Sequence, residues 1–275
     1  MAVQYLETSH EGRQWASRVV IPAARPANPT GVFTHQLVHR ASSFEGIMHG
    51  SATPVAQHFS LSVELPHQHS GFAGTPGPGL FHDTHLPVEA LHRSALFVAH
   101  RYFRVPADRP AVFSRTAFEV SALAPWRRNG ATAHLTMDLM LRPFDVTHGV
   151  PHGLECESTL SIEGTVCGTA TARMEFSARG AGGGGSGIEL LEASRRTAFL
   201  LAARLGGFSV GSCVLSRWNA RFEGSAAPGL PLHCAASSGE LRRDAHGRPA
   251  LPVALVFSQG PRHIGTVEVV VLQDC

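Results

Sequence analysis

Two short runs in this chain carry an acid and a cation at a spacing suited to chemistry. In LLEASRRTA (190–198), Glu192 and Arg195 stand three residues apart and Arg196 follows. On a helix they fall in one stripe with Ile188, Phe199 and Ala202, so two ionic groups lie beside bulky apolar residues and need each other or a ligand. A pair so placed can serve a ligand, and partial burial makes its pKa and geometry sensitive. The same pair can instead be an ion pair that steadies the helix, and spacing leaves both readings open. The second run, EALHRSALFVAH (89–100), keeps the acid as Glu89 but puts His92 in the arginine's place, with Arg93 next. Read structurally, His92 is a solvent-bonded histidine on a helix flank. His82 and Asp83, just ahead of this run, are further polar site candidates.

The elements that must position these residues repeat along the chain. Apolar spacing predicts helices over 86–101 and 188–205. Laid over one another, 89–100 and 192–203 share Glu, Ala, Arg, Ala and Ala in register, and Phe113-Ser114-Arg115 matches Leu215-Ser216-Arg217 at almost the same offset. Period-two runs predict strands at 31–40, 57–65, 112–120, 134–141, 155–162 and 165–176, then at 212–223, 230–241, 250–257 and 263–272. A helix followed by antiparallel strands, twice, is an α+β chain. The expected fold is a double hotdog, two long helices wrapped by a continuous antiparallel sheet. Such a pair forms like an isologous dimer fused head to tail, so further oligomerisation is not required. The expected divisions are an N-terminal arm over 1–30, one hotdog repeat over 31–177 and a second over 178–275, joined at a glycine-rich linker.

Composition narrows the function classes. The chain has 275 residues, 43% of them hydrophobic, enough for a large buried core. Only 16% are charged and the formal charge is +2, which gives no basic footprint for nucleic acid. All 23 basic residues are arginine, so Schiff-base chemistry and a lysine phosphate loop are excluded. No apolar run has membrane-spanning length, no secretory leader pattern opens the chain, and five scattered cysteines fit reduced thiols. The expectation is a cytoplasmic protein.

Three further patterns are read as structural. The histidine pairs His67/His69, His82/His85 and His148/His152 lack a completing ligand at metal-site spacing, so no metal is expected. The stretch Gly182 to Gly187 satisfies GxGxxG, but no acid stands at the right distance beyond the helix and the following strands look like a meander, so a linker is the better reading. No cofactor is expected. Cys156 and Cys167 sit in alternating strands with no neighbour to activate a thiol, and read as packing residues.

With these pieces in place, the chain resembles the A-factor biosynthesis hotdog proteins, the AfsA-like γ-butyrolactone synthases. The resemblance is carried by LVHRASSFEGIM (37–48), HFSLSVELP (58–66), FHDTHLPVEALHRSALFVAHRYFRVP (81–106) and LLEASRRTA (190–198), in the family's order. It implies an enzyme that joins a β-ketoacyl group, delivered as a thioester on an acyl carrier protein, to dihydroxyacetone phosphate, on the way to a γ-butyrolactone, butenolide or furan signalling molecule. The family's acid of the first repeat matches Glu89, and its acid and arginine of the second match Glu192 and Arg195. Its first-repeat arginine is replaced by His92, and the Asp-His-Val-Pro-Gly segment before the second helix is replaced by Gly183-Gly184-Gly185-Ser186-Gly187. Within that reading Glu192 is the base and Arg195 its orienting or phosphate-binding partner. Arg93, Arg115, Arg196 and Arg217 are candidate phosphate ligands, and Leu96, Phe97, Phe199 and Leu200 suit an acyl tunnel. Because each repeat has lost a different part, one working site built from His82, Asp83, Glu192 and Arg195 is expected. The alternatives are a hotdog thioesterase, a hotdog dehydratase, whose histidine would fall at Thr75 or Ala178, and a non-catalytic ligand-binding paralogue.

Overall fold

A computed structural model describes residues 5–6, 16–21, 35–40, 56–65, 79–177, 187–224, 226–227 and 230–274. The glycine-rich stretch 180–186, Thr75, Ala178 and the pair His67/His69 lie outside the described residues. The strands are β1 (Tyr5–Leu6), β2 (Ala16–Ile21), β3 (His35–Arg40), β4 (Gln57–Leu65), β5 (Ala111–Val120), β6 (Ala133–Thr147), β7 (Val150–Ile162) and β8 (Thr165–Phe176). After them come β9 (Cys213–Phe222), β10 (Leu232–Ser238), β11 (Arg242–Arg243), β12 (Pro249–Gln259) and β13 (Arg262–Gln273). The two long helices are α1 (His85–Arg101) and α2 (Gly187–Gly206).

The chain divides into two units. The α1 unit contains β3 and β4 and the chain from His85 through β8. Its sheet runs β5-β8-β7-β6-β4-β3, antiparallel throughout. The α2 unit contains β1, β2, residues 79–84 and the chain from α2 to the end. Its sheet runs β9-β13-β12-β10-β2-β1, also antiparallel, with β11 beside β12. The two orders correspond strand for strand, and each unit is a helix set against an antiparallel sheet, so the fold is an α+β double hotdog.

This assignment differs from the expected divisions at the N-terminus. Residues 16–21, placed by the sequence in an arm, form a strand paired with β10 from Ala16↔Ser237 to Ile21↔Leu232. The strand that precedes the helix in one hotdog is β4, and the α2 unit takes its counterpart, β2, from the far end of the chain. A sheet edge left with open N–H and C=O groups demands a partner, and β2 supplies it.

Alternation along the strands sets the core. In β4, Phe59, Leu61, Val63 and Leu65 are buried, and in β6 so are Leu135, Met137, Leu139 and Leu141. On α1, Leu91, Ala95, Val98 and Ala99 are buried as well. In the α2 unit Leu191, Ala198 and Ala202 on the helix, with Leu255, Phe257, Val267 and Trp218 on the sheet, are likewise buried. Strand β6 runs past the expected 141 to Thr147, with Pro143 beyond Leu141, the last residue paired with β4. The hairpin then turns at His148-Gly149, with φ of 53° and 78°, a type I′ turn suited to the sheet's twist.

The internal repeat extends to irregularities. Strand β5 breaks register at Ser114, between Phe113 and Arg115, and the ladder of β9 with β13 breaks at Ser216, between Leu215 and Arg217. These bulged serines are the centres of the matched triplets. Gly168 on β8 and Gly265 on β13 face Val120 and Phe222, equivalent positions, and a Cβ at Gly168 would meet the Glu119 carbonyl oxygen at 2.6 Å. Each unit therefore closes its sheet over a glycine at the same place.

Candidate functional site

The loop ahead of α1 reaches α2. Residues 79–84 belong to the α2 unit, where Leu80 N–H donates to the Gly211 carbonyl at 2.8 Å. This delivers Asp83 to Arg195, whose Nη1 donates to Asp83 Oδ2 at 3.2 Å. On the helix itself Arg195 grips Glu192 with two bonds, Nε to Oε2 and Nη2 to Oε1, both 2.8 Å. Arg196 Nε adds a third bond to Glu192 Oε1 at 2.7 Å. The i,i+3 and i,i+4 spacings put all three side chains on neighbouring turns, as helix geometry requires.

The environment of this cluster is graded. The Arg195 side chain is 9% exposed and that of Asp83 12%, whereas Glu192 is 28% and Arg196 48% exposed. Burial works against the charge on Arg195, but Asp83 and Glu192 outweigh it and hold its pKa above the ordinary arginine value. The result is a fixed, fully charged guanidinium with a carboxylate on its solvent side. Such an arrangement can accept a proton at Glu192 and stabilise negative charge beside it.

His82 is buried in the α2 unit. In the α1 unit Glu89 pairs with Arg93. His92 is not a solvent-bonded flank residue: it is 1% exposed, stacks on Phe113 at 3.7 Å between ring centres, and bonds through Nε2 to Thr116 Oγ1 at 2.9 Å. Burial, then the nearby His85, lowers its pKa from 6.5 to about 3, so the imidazole is neutral. Position 92 faces the sheet where position 195 of the other repeat faces a carboxylate. Thr116 escaped the sequence reading; its signal was a polar residue on the buried side of an alternating strand. Arg115 and Arg217 are exposed, and each precedes a buried residue, Thr116 and Trp218, so the pleat turns them to the face away from the helix.

The expected acyl tunnel is not lined as proposed. Phe199 is buried, but Leu96, Phe97 and Leu200 are exposed at 36%, 55% and 50%. Adjacent helical positions point about 100° apart, so Leu96 and Phe97 cannot share the inward face of α1 held by Ala95, Val98 and Ala99, nor Leu200 that of α2 held by Ala198, Leu201 and Ala202. Burial raises the thiols of Cys156, Cys213 and Cys234 to about 12, and that of Cys167 to about 11, which keeps them protonated. Among the described residues no group of three or more His, Cys, Asp and Glu is placed to hold a metal, and no helix is long and apolar enough to cross a membrane.

Known proteins share this fold. Among solved structures, a protein assigned as an oleoyl thioesterase from Lactobacillus plantarum is similar, with a TM-score of 0.50 at 8% identity over 79% of this chain and 97% of its own. The 12:0-ACP thioesterase from Umbellularia californica gives 0.49 at 7% identity over 79% and 94%. An acyl-CoA thioesterase II from Mycobacterium marinum gives 0.42 at 9% over 79% and 93%. No curated protein matches the sequence. At these identities the likeness concerns the fold alone. The A-factor biosynthesis hotdog domain matches residues 23–178, more than half of the chain, including Asp83, Glu89 and His92. The chain therefore belongs to the A-factor biosynthesis hotdog family, a family of biosynthetic enzymes.

Proposed function

We propose that this protein is an acyltransferase that joins a β-ketoacyl group from an acyl-carrier thioester to the hydroxyl of dihydroxyacetone phosphate, in biosynthesis of a γ-butyrolactone, butenolide or furan signalling molecule. The observation that carries the reading is the Asp83–Arg195–Glu192 cluster, an acid and a buried cation held side by side in a chain of this family. Glu192 takes the proton of the acceptor hydroxyl as that oxygen attacks the thioester carbonyl. Negative charge that develops on the carbonyl oxygen lies in the field of Arg195. Collapse of the tetrahedral intermediate breaks the C–S bond, and the sulfur leaves with the proton that Glu192 held. Asp83 acts through Arg195, fixing the guanidinium from the side opposite the reaction. Arg196, half exposed, also holds Glu192.

Following β-ketoacyl thioester with and without dihydroxyacetone phosphate tests this directly. Acyl transfer gives a phosphorylated ester only when the acceptor is present. Thiol release at the same rate without it makes the protein a thioesterase, and binding of either substrate without turnover makes it a non-catalytic paralogue.

A further inference from the structure

The outer side of α2 bears a pattern that core packing does not explain. Arg196, Leu200 and Arg204 stand four residues apart and all are exposed. At 1.5 Å per residue they form a ridge about 12 Å long, a leucine between two guanidinium groups. A single exposed leucine would mean nothing. The other helix repeats it, however: Arg93, Phe97 and Arg101 occupy the matched positions of α1, all exposed. Charge decides what such a ridge fits. A second copy of this chain would set arginine against arginine, whereas a helix with carboxylates around an apolar side chain is complementary to the ridge in charge and polarity. The α2 ridge also runs into the candidate site, since Arg196 bonds Glu192.

We propose that Arg196, Leu200 and Arg204 form the docking ridge for an acidic helix of the acyl carrier protein that delivers the thioester. This rests on the acyl-transfer reading and adds where the donor sits. A carrier carboxylate that engages Arg196 withdraws one guanidinium from Glu192, so docking and the site's acceptor oxygen are coupled.

The test uses the full chain carrying Arg204→Glu or Leu200→Glu, with Phe97→Glu for comparison. Carrier protein loaded with a β-ketoacyl thioester is titrated by fluorescence anisotropy, and turnover is measured with that carrier and with a small β-ketoacyl N-acetylcysteamine thioester. Both α2 variants are expected to raise the carrier Kd at least tenfold with an unchanged melting temperature. In Arg204→Glu the carrier KM rises while kcat and small-thioester turnover stay within twofold of wild type, and added salt weakens wild-type binding. Unchanged carrier affinity in both variants, or no carrier binding by wild type, overturns the proposal. So does a larger loss in Phe97→Glu than in Leu200→Glu, or a wild-type dimer that Leu200→Glu dissolves without altering carrier affinity. Absence of turnover with either thioester tells against acyl transfer itself, while the titration still decides the docking ridge.

Discussion

Glu192→Gln keeps the length of the side chain but removes its charge and one acceptor oxygen. In the native protein the two oxygens accept N–H bonds at 2.8, 2.8 and 2.7 Å, two from Arg195 and one from Arg196. The amide accepts at one oxygen and sets its own NH2 against a guanidinium N–H at the other. Hydrogen bonds to charged groups contribute about 1.5–3 kcal/mol each. The Arg196 bond is heavily discounted because that side chain is 48% exposed and screened. Arg195 keeps Asp83, so its charge is not stranded. The expected loss is about 3 kcal/mol, or roughly 6–12 °C in melting temperature for a chain of this size. Thermal unfolding measures that part. Turnover of β-ketoacyl thioester with dihydroxyacetone phosphate, at a temperature where the variant is folded, measures the other, and removal of a positioned base should lower kcat about 100-fold or more. Turnover per folded molecule within about threefold of wild type refutes Glu192 as the base. A melting temperature within about 2 °C of wild type refutes the energetic account of the cluster.

Glu89→Gln is expected to lose less than about 1 kcal/mol, because its pair with Arg93 is an exposed i,i+4 contact, and to slow turnover far less than Glu192→Gln; a larger kinetic defect at Glu89 would move the working site to the first repeat. The neutral His92, with its pKa lowered to about 3 in the fold, adds stability that is complete above pH 6.5 and lost as pH falls towards 3. Between pH 7 and pH 5 this amounts to about 2 kcal/mol, so denaturant titrations of His92→Asn should show a pH slope flatter by that amount. Gly168→Ala should destabilise by about 2 kcal/mol, seen as a lower denaturation midpoint, because a Cβ there meets the Glu119 carbonyl and two paired strands must separate.

Much of this molecule is legible from local pattern. Helix positions follow from 3.6-residue spacing, and α1 and α2 begin and end within a residue of the expected 86–101 and 188–205. The repeat was visible because equivalent elements solve the same packing problem: matched helix residues, and matched triplets that turn out to centre on the bulged serines. The pairing of Glu192 with Arg195 was also local, since three residues on a helix is a contact distance.

What only the tertiary structure decided are relations between residues distant in sequence. Asp83 and Arg195 were expected to share one site, but that they bond directly, 112 positions apart, depends on where the loop before α1 lies, which no local pattern encodes. That residues 16–21 complete the sheet of the α2 unit depends on an open strand edge more than 200 residues away, to which a short VVI run gives no address. The fate of His92 has the same cause. Helical spacing puts it in the arginine's place, but the residues opposite, Phe113 and Thr116 on another strand, make it a buried neutral imidazole. A local period fixes which face of an element a residue occupies, while its chemistry is set by what the fold brings against that face.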